Sequence, residues 1–267
     1  MAADGPATED LLYEVRDGIA RVTFNRPQAR NAMLFSMYER LAEICAGIEA
    51  DRSVRALVLT GAGDKAFAAG TDISQFRAFR TPEDALEYEA RIDRVLGVLE
   101  RLRVPTIAAI AGACTGGGAG MAACCDLRIA AGTLRFGFPI ARTLGNCLSV
   151  ANYARLAALI GPAQVKEMVF TARLIEAEEA RAIGLVSEIL PDTAALARRA
   201  DELARQVAAN APLTLHATKE ALRRIKDRSV APGDADHDLL LMCYMSADFR
   251  EGMDAFLGKR APVWRGE

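Results

Sequence analysis

Hydrophobic and polar positions alternate near the start of the chain and then recur at helical spacing. The alternation over Leu11–Val15 and Ile19–Phe24 predicts two strands that turn at Asp17-Gly18. Apolar residues spaced three and four apart predict a helix from Phe35 to Ile48. Short apolar runs and helical stretches continue to alternate along the chain, which is typical of the α/β class.

The middle of the chain repeats this pattern. Buried strands are predicted at Ala56–Thr60, Thr106–Ile110 and Leu127–Ala130, and helices at Pro82–Leu102, Ser149–Ile160 and Ala163–Phe170. Thr81 is the expected N-cap before Pro82, and Gly161-Pro162 is expected to separate the last two helices. We interpret the charges from Glu83 to Arg94 as a solvated helix face.

The last part of the chain is predicted to be almost wholly helical. The helical pattern begins at Thr193 and is interrupted by Pro212 and by Pro232-Gly233. We therefore expect a core over residues 1–200 and a helical C-terminal region over residues 201–267.

Composition narrows the possible partners. The chain has 267 residues, and its 33 basic and 35 acidic side chains leave a net charge of −2, so nothing points to nucleic acid or an anionic membrane. Six cysteines without a Cys-x-x-Cys motif and two histidines predict no disulfide framework and no metal site. Residues 1–10 resemble neither a signal nor a transit peptide, so we expect a flexible lead and a cytoplasmic location.

A glycine-rich run, Gly112–Gly120, is the strongest chemical signal in the chain. Closely spaced glycines let the backbone approach a ligand, and a helix starting inside the run would aim free N–H groups at an oxyanion or a phosphate. No Gly-Lys-Ser/Thr follows, which excludes a P-loop. Close packing of a small-residue helix is the alternative interpretation of the run.

A dinucleotide site is disfavoured, although two segments match G-x-G-x-x-A. After Gly118–Ala123 no acidic residue stands about 20 positions on, and after Gly61–Ala66 the expected helix is interrupted by Gly70.

A second loop, Gly61–Asp72, also follows a predicted strand and ends at a helix start. Asp72 and Gln75 form a capping-box pattern, with Asp72 at the N-cap. Two such strand-to-helix turns, each offering a backbone N–H, are the ingredients of an oxyanion hole.

Taken together, these segments resemble the crotonase superfamily, the enoyl-CoA hydratase/isomerase family, over nearly the whole chain. The motifs that carry the resemblance are Asn25–Pro27 with Arg30–Met33, Lys65–Ile73, Pro105–Gly118, Cys125–Ala130, Phe136–Pro139, Ala177–Val186 and Phe256–Trp264.

The resemblance implies an α/β fold, a crotonase-like spiral of β-β-α units with a helical C-terminal trimerisation region, and assembly into homotrimers or hexamers. It also implies an acyl-CoA thioester as the substrate, with coenzyme A as part of that substrate and no other cofactor. By position, the backbone N–H groups of Thr71 and Gly117 would form the oxyanion hole. The residues expected to bind the CoA thioester are Arg26, Arg30, Lys65, Ala68, Ala69, Gly70 and Gly116.

The chain departs from the family at the catalytic carboxylates. Hydratases of the family use two glutamates, and the flanking motifs place Gly120 and Ile140 at those positions. Neither side chain can exchange a proton. We therefore expect hydratase activity to be weak or altered.

Other residues are candidates for the missing chemistry. Asp72 stands beside the oxyanion residue, although its capping role explains it equally well. Arg142 is suited to hold a substrate carboxylate and Asn146 to donate a hydrogen bond, while a loop held by a salt bridge is the alternative for Arg142. Cys114 and Cys147 are possible but unusual nucleophiles.

Together with these residues, the resemblance implies an acyl-CoA-binding enzyme that stabilises a thioester enolate. A decarboxylase or hydrolase of a carboxylated acyl-CoA is the first alternative, and a non-catalytic acyl-CoA-binding scaffold is the second.

Overall fold

A tight hairpin begins the part of the chain that the computed structural model describes, residues 10–228 and 237–267. Its two strands pair in antiparallel register from Leu11 opposite Phe24 to Arg16 opposite Ile19. Asp17 and Gly18 both have positive φ, 52° and 74°, which is the geometry of a type I′ turn. The predicted Asp17-Gly18 turn is confirmed.

The described residues contain ten strands. They are β1 (Leu11–Arg16), β2 (Ile19–Phe24), β3 (Ala56–Gly61), β4 (Ala66–Ala68), β5 (Thr106–Ile110), β6 (Ala113–Thr115), β7 (Leu127–Ala131), β8 (Arg135–Gly137), β9 (Ile175–Glu176) and β10 (Glu188–Leu190).

The strands form two sheets. One has the order β1-β2-β3-β5-β7-β10 and the other the order β4-β6-β8-β9. Only the β1–β2 and β8–β9 pairs are antiparallel, and the remaining pairs are parallel. Each of β3, β5 and β7 in the first sheet is followed by a short strand of the second sheet and then by a helix. This succession is the β-β-α repeat that the family resemblance implies.

Ten α-helices lie within the described residues. They are α1 (Phe35–Ala50), α2 (Pro82–Arg101), α3 (Gly117–Cys124), α4 (Ile140–Thr143), α5 (Val150–Phe170), α6 (Ala177–Ala182), α7 (Thr193–Ala208), α8 (Pro212–Asp227), α9 (His237–Tyr244) and α10 (Ala247–Leu257). Short 3-10 helices occupy Pro27–Ala29 and Ile73–Ala78.

Local signals set several helix ends. The Thr81 side chain accepts a hydrogen bond from the Asp84 N–H and caps α2, as predicted. Within α5, Gly161 has non-helical φ and ψ angles of 75° and 152°, so the predicted break at Gly161-Pro162 is confirmed as a kink between two helical segments. The predicted helix inside the glycine run is also confirmed, because α3 begins at Gly117.

Both faces of the first sheet are buried. Leu57 and Leu59 of β3 belong to the main core. Ala56 and Val58 point to the opposite face and pack with Ala200 of α7, as strand alternation in a doubly covered parallel sheet requires. The boundary expected near residue 200 therefore lies inside a helix that packs on the sheet.

None of the helices in the described residues has the length and apolar character needed to span a membrane. The expected N-terminal lead and the interruption at Pro232-Gly233 lie outside the described residues.

Candidate functional site

A cavity of about 520 Å³ opens between the ends of the short strands and the N-terminus of α3. The loop after β4, the loop after β6, one face of α2 and the segment around α4 form its walls. The two strand-to-helix turns singled out in the sequence thus meet at one place. That convergence is what an oxyanion hole needs.

Thr71 contributes its backbone from the first loop. It forms an isolated parallel bridge with Met33, and the two hydrogen bonds of this bridge run from the Met33 N–H to the Gly70 carbonyl and from the Asp72 N–H to the Met33 carbonyl, each 2.8 Å long. In this pattern the bonds use the neighbours of Thr71, and the Thr71 N–H points away from Met33. Thr71 lines the cavity.

Two tyrosines hold the Thr71 side chain. The hydroxyls of Tyr38 and Tyr88 each lie 2.9 Å from Thr71 Oγ1. Burial raises the pKa of Tyr38 to about 12, and burial also raises the pKa of Tyr88 well above its usual value. Both phenols are therefore neutral near pH 7 and are fixed hydrogen-bonding groups.

Gly117 is the second backbone donor that the sequence analysis predicts. It is the first residue of α3, so its N–H has no acceptor within the helix. A Cβ built on Gly117 would lie 2.0 Å from the Tyr38 hydroxyl, so only glycine fits here. A Cβ built on Gly70 would lie 3.8 Å from the Gly117 nitrogen, which shows how closely the two loops approach.

Asp72 is tied to structural partners. Its carboxylate accepts hydrogen bonds from Ser74 Oγ at 2.7 Å and from Arg26 Nη1 at 3.2 Å. Burial opposes its ionisation, but the bonds from Ser74 and Arg26 outweigh this effect and hold the pKa of Asp72 below its usual value. A carboxylate with a lowered pKa is a weak proton acceptor.

The predicted capping box is only half formed. Asp72 is the N-cap of the Ile73–Ala78 helix and accepts from the Ser74 N–H. Gln75 does not reach back to Asp72. Its Oε1 instead accepts a hydrogen bond from the Phe35 N–H at 3.3 Å, at the start of α1, because the fold brings the open N-terminus of α1 beside it.

Arg142 and Asn146 are separated by the fold. Arg142 is exposed and lies outside the cavity wall. Asn146 lines the cavity, and its Nδ2 donates to the Tyr244 hydroxyl at 3.1 Å. The Oδ1 of Asn146 is buried and has no hydrogen-bond donor among the described residues.

The residues expected to bind CoA divide into two groups. Arg30, Ala69, Gly70 and Gly116 line the cavity, whereas Arg26, Lys65 and Ala68 do not. Arg30 and Lys65 are exposed. The Arg26 guanidinium donates to the Ala32 carbonyl at 2.6 Å and to Asp72, so it stabilises the end of the first loop.

Gly120 and Ile140 both line the cavity. A Cβ built on Gly120 would meet Leu96 Cδ1 at 3.3 Å and Asn152 Oδ1 at 3.9 Å. These contacts are to side chains, and the first is the end of a flexible one. A side chain at this position would therefore need the Leu96 side chain to shift by a few tenths of an ångström.

Glu89 is the cavity residue that the sequence interpretation missed. It belongs to the charged stretch interpreted as a solvated face, but its side chain is only 5% exposed and lines the cavity. The signal was present in the spacing, because Glu89 stands four residues after Ala85 and three before Ile92 on the buried stripe of α2.

The structure gives little support to the two candidate nucleophiles, Cys114 and Cys147. Burial raises the pKa of Cys114 well above its usual value, which suppresses the reactive thiolate. Cys147 Sγ lies 3.4 Å from the Leu239 carbonyl. No cluster of three or more His, Cys, Asp or Glu side chains suited to a metal ion occurs in residues 10–228 and 237–267.

Known proteins are similar to this chain both in sequence and in fold. The profile of the enoyl-CoA hydratase/isomerase family matches residues 14–267. The short-chain-enoyl-CoA hydratase of Clostridium acetobutylicum is 34% identical over 252 residues, which are 94% of this chain and 95% of that protein.

Solved structures agree. An enoyl-CoA hydratase/carnithine racemase from Magnetospirillum magneticum is 35% identical and has a TM-score of 0.78, with 98% of this chain and 97% of that chain covered. Methylmalonyl-CoA decarboxylase in complex with 2-nitronate-propionyl-CoA is 27% identical and has a TM-score of 0.88, with 98% and 100% covered. Similarity over essentially full length, on a fold whose two loops meet at one cavity, means that this chain belongs to the enoyl-CoA hydratase/isomerase family of the crotonase superfamily.

Proposed function

We propose that this enzyme binds an acyl-CoA thioester with its carbonyl oxygen between the backbone N–H groups of Thr71 and Gly117. One observation carries the proposal: both residues line a single cavity, on loops so close that a Cβ added to Gly116 would lie 3.4 Å from the Gly70 Cα. Removal of a proton beside a thioester carbonyl leaves an enolate whose negative charge develops on that oxygen. Two fixed N–H donors stabilise this charge more than they stabilise the neutral carbonyl.

Hydration of a short enoyl-CoA is expected to be slow, because Gly120 and Ile140 offer no acid or base. A positioned acid or base contributes about 10²- to 10⁴-fold. In a steady-state assay on crotonyl-CoA, we expect turnover at least about 10²-fold below that of a family member with both glutamates. Comparable turnover numbers would contradict this expectation. Binding of butyryl-CoA without turnover of any acyl-CoA would identify a scaffold instead.

Decarboxylation of a carboxylated acyl-CoA is the second candidate reaction. It is favoured by the TM-score of 0.88 with methylmalonyl-CoA decarboxylase. Loss of carbon dioxide also produces a thioester enolate and needs no base to form it. Mass spectrometry of methylmalonyl-CoA incubated with the enzyme separates this candidate from the others, because the product is lighter by one carbon dioxide.

Lys65 is proposed to bind the CoA phosphates. Lys65→Glu should weaken butyryl-CoA binding by about tenfold or more, because a hydrogen bond to a charged group contributes about 1.5–3 kcal/mol. Isothermal titration calorimetry measures the change. The control is Lys166→Glu, which makes the same charge change at an exposed position of α5 outside the cavity wall. Equal weakening in both variants would indicate a general charge effect and refute a specific contact.

The C-terminal helices are proposed to build a trimer or hexamer. Helix α8 has no buried residue, and it exposes Leu213, Leu222 and Ile225 by 81%, 62% and 63%. Leu222 and Ile225 are three residues apart and share one face of α8, and exposed apolar side chains grouped in this way are typical of a protein–protein interface. Light scattering at micromolar concentration should report a trimer or hexamer, and the Leu222→Asp/Ile225→Asp double variant should report a lower mass. A monomeric wild-type protein would contradict the proposal.

A further inference from the structure

A single carboxylate stands on the buried stripe of α2. Ala85, Ile92 and Leu96 on this stripe are at most 5% exposed, and Glu89 between them is also 5% exposed. Glu87, two residues away on the same helix, is exposed. Burying a carboxylate is costly unless partners compensate it, so a carboxylate kept on an apolar stripe beside a cavity indicates a functional site.

A hydrogen-bonded chain fixes this carboxylate from the far side. The Tyr244 hydroxyl, at the end of α9, donates to Glu89, and Asn146 Nδ2 donates to the same hydroxyl at 3.1 Å. Burial raises the pKa of Tyr244 well above its usual value, and the charge of Glu89 raises it further. Tyr244 therefore remains a neutral donor, and the carboxylate is held as an acceptor in a defined orientation.

The same helix joins this carboxylate to the oxyanion loop. The Tyr88 hydroxyl lies 2.9 Å from Thr71 Oγ1, and Glu89 is the next residue along α2. Glu89 and Asn146 line the cavity that Thr71 and Gly117 also line. A thioester whose oxygen meets the two N–H groups would therefore have its acyl carbons in the cavity that Glu89 faces.

Asp72 is the other acidic residue in the cavity wall. Its bonds to Ser74 and Arg26 hold its pKa below the usual value. Asp72 is therefore held as a structural carboxylate, whereas Glu89 accepts from the Tyr244 hydroxyl at the cavity wall.

We propose that Glu89 is the catalytic acid–base of this enzyme, and that the enzyme moves a double bond from the 3-position to the 2-position of an enoyl-CoA thioester. The inference rests on the proposed binding of the thioester oxygen by Thr71 and Gly117. Tyr244 and Asn146 are positioning residues in this scheme.

The proton balance needs one carboxylate and no co-reactant. Glu89 takes a proton from C2, the C2–H bond breaks, and its electrons spread over C2, C3 and C4 and the thioester oxygen. The resulting Glu89 carboxylic acid returns the proton to C4, and the double bond then lies between C2 and C3. Addition of water also requires a second group that orients and activates the water. The other carboxylate of the cavity wall, Asp72, is held by Ser74 and Arg26, so this cavity favours the double-bond shift.

The charge of Glu89 also selects among thioester substrates. A second carboxylate on the acyl chain would be repelled by Glu89 inside a largely apolar cavity. Glu89 thus favours uncharged enoyl chains and weighs against decarboxylation, the second candidate reaction.

The test compares wild-type enzyme with Glu89→Gln, which keeps the size of the side chain and its acceptor oxygen. Two reactions are followed: conversion of 3-hexenoyl-CoA to 2-hexenoyl-CoA, and deuterium uptake at C2 of butyryl-CoA in heavy water. Glu89→Gln should slow both by about 10²-fold or more, while butyryl-CoA binding measured by calorimetry changes little. Glu87→Gln, on the exposed face of the same helix, is the matched control and should leave both rates unchanged.

Retention of both rates in Glu89→Gln would overturn the inference, as would a wild-type enzyme that binds butyryl-CoA but neither isomerises nor exchanges. Failure of the wild-type enzyme to bind butyryl-CoA would instead refute the proposed function.

Tyr244→Phe provides a second variant if Glu89→Gln does not fold. It should lower kcat for the isomerisation and leave KM nearly unchanged, because the carboxylate loses its orientation but the thioester contacts remain. A change confined to KM would overturn the positioning role and, with it, the assignment of Glu89.

Discussion

The Gly117→Ala variant is expected to lose about 10²- to 10³-fold in the rate of C2 proton exchange in butyryl-CoA, the magnitude typical of a lost oxyanion donor. The added Cβ would stand 2.0 Å from the Tyr38 hydroxyl and 3.5 Å from Thr71 Oγ1. The start of α3 must therefore move away from the first loop. The variant retains the backbone N–H of residue 117, but this N–H no longer converges with the Thr71 N–H on the thioester oxygen.

Tyr38→Phe is the matched partner for this experiment. On its own, it removes the hydroxyl that contacts Thr71 but keeps the ring in the core, where Tyr38 is fully buried. In the Gly117→Ala/Tyr38→Phe double variant, the nearest remaining ring atom lies 3.3 Å from the new Cβ. Part of the lost rate should return. A double variant as slow as Gly117→Ala would show that the collision with Tyr38 is not the cause.

The Gly120→Glu/Ile140→Glu double variant is expected to hydrate crotonyl-CoA about 10²-fold faster than the wild-type enzyme, or better. Both positions line the cavity, and a Cβ added at residue 120 would meet the flexible end of Leu96 at 3.3 Å and the Asn152 side chain at 3.9 Å. The substitutions restore the two glutamates that, according to the family resemblance, activate the water and transfer the proton in hydratases. Cooperating groups are not additive, so each single variant should gain much less than the pair.

The Gly120→Gln/Ile140→Gln double variant is the control, because it adds similar volume without an acid or base. It should hydrate crotonyl-CoA no faster than the wild-type enzyme in the same spectrophotometric assay. An equal gain from glutamine would attribute the effect to packing. An unchanged rate in the correctly folded glutamate pair would show that positions 120 and 140 do not face the reacting carbons.

Features determined by neighbouring residues could be predicted from the sequence. The hairpin turn at Asp17-Gly18, the Thr81 cap and the break at Gly161 each depend on the conformational preferences of one or two residues. The start of α3 inside the glycine run is of the same kind. Such local rules act within one or two turns of the chain, so a single sequence contains the information they need.

The partner choice of polar side chains could not be predicted in this way. Gln75 fits the capping box of its own helix, yet it serves the N-terminus of α1, 40 residues earlier in the chain. Asp72 and Arg26 are 46 residues apart and form an ion pair. An open helix end or an unpaired charge is satisfied by the group that the fold brings nearest, and sequence spacing does not encode that group.

By itself, the sequence determined the α/β alternation, the two loops that supply Thr71 and Gly117, and the absence of a carboxylate at positions 120 and 140. The spacing along α2 places Glu89 on the buried stripe of the helix, but the tertiary structure alone decided that this stripe lines the cavity. On α2, Glu89 is one charge among many, and the Tyr244 hydroxyl that donates to it lies 155 residues further along the chain. The physical reason is that a carboxylate enters an apolar wall only when a distant donor compensates its lost hydration, and the fold brings that donor to it.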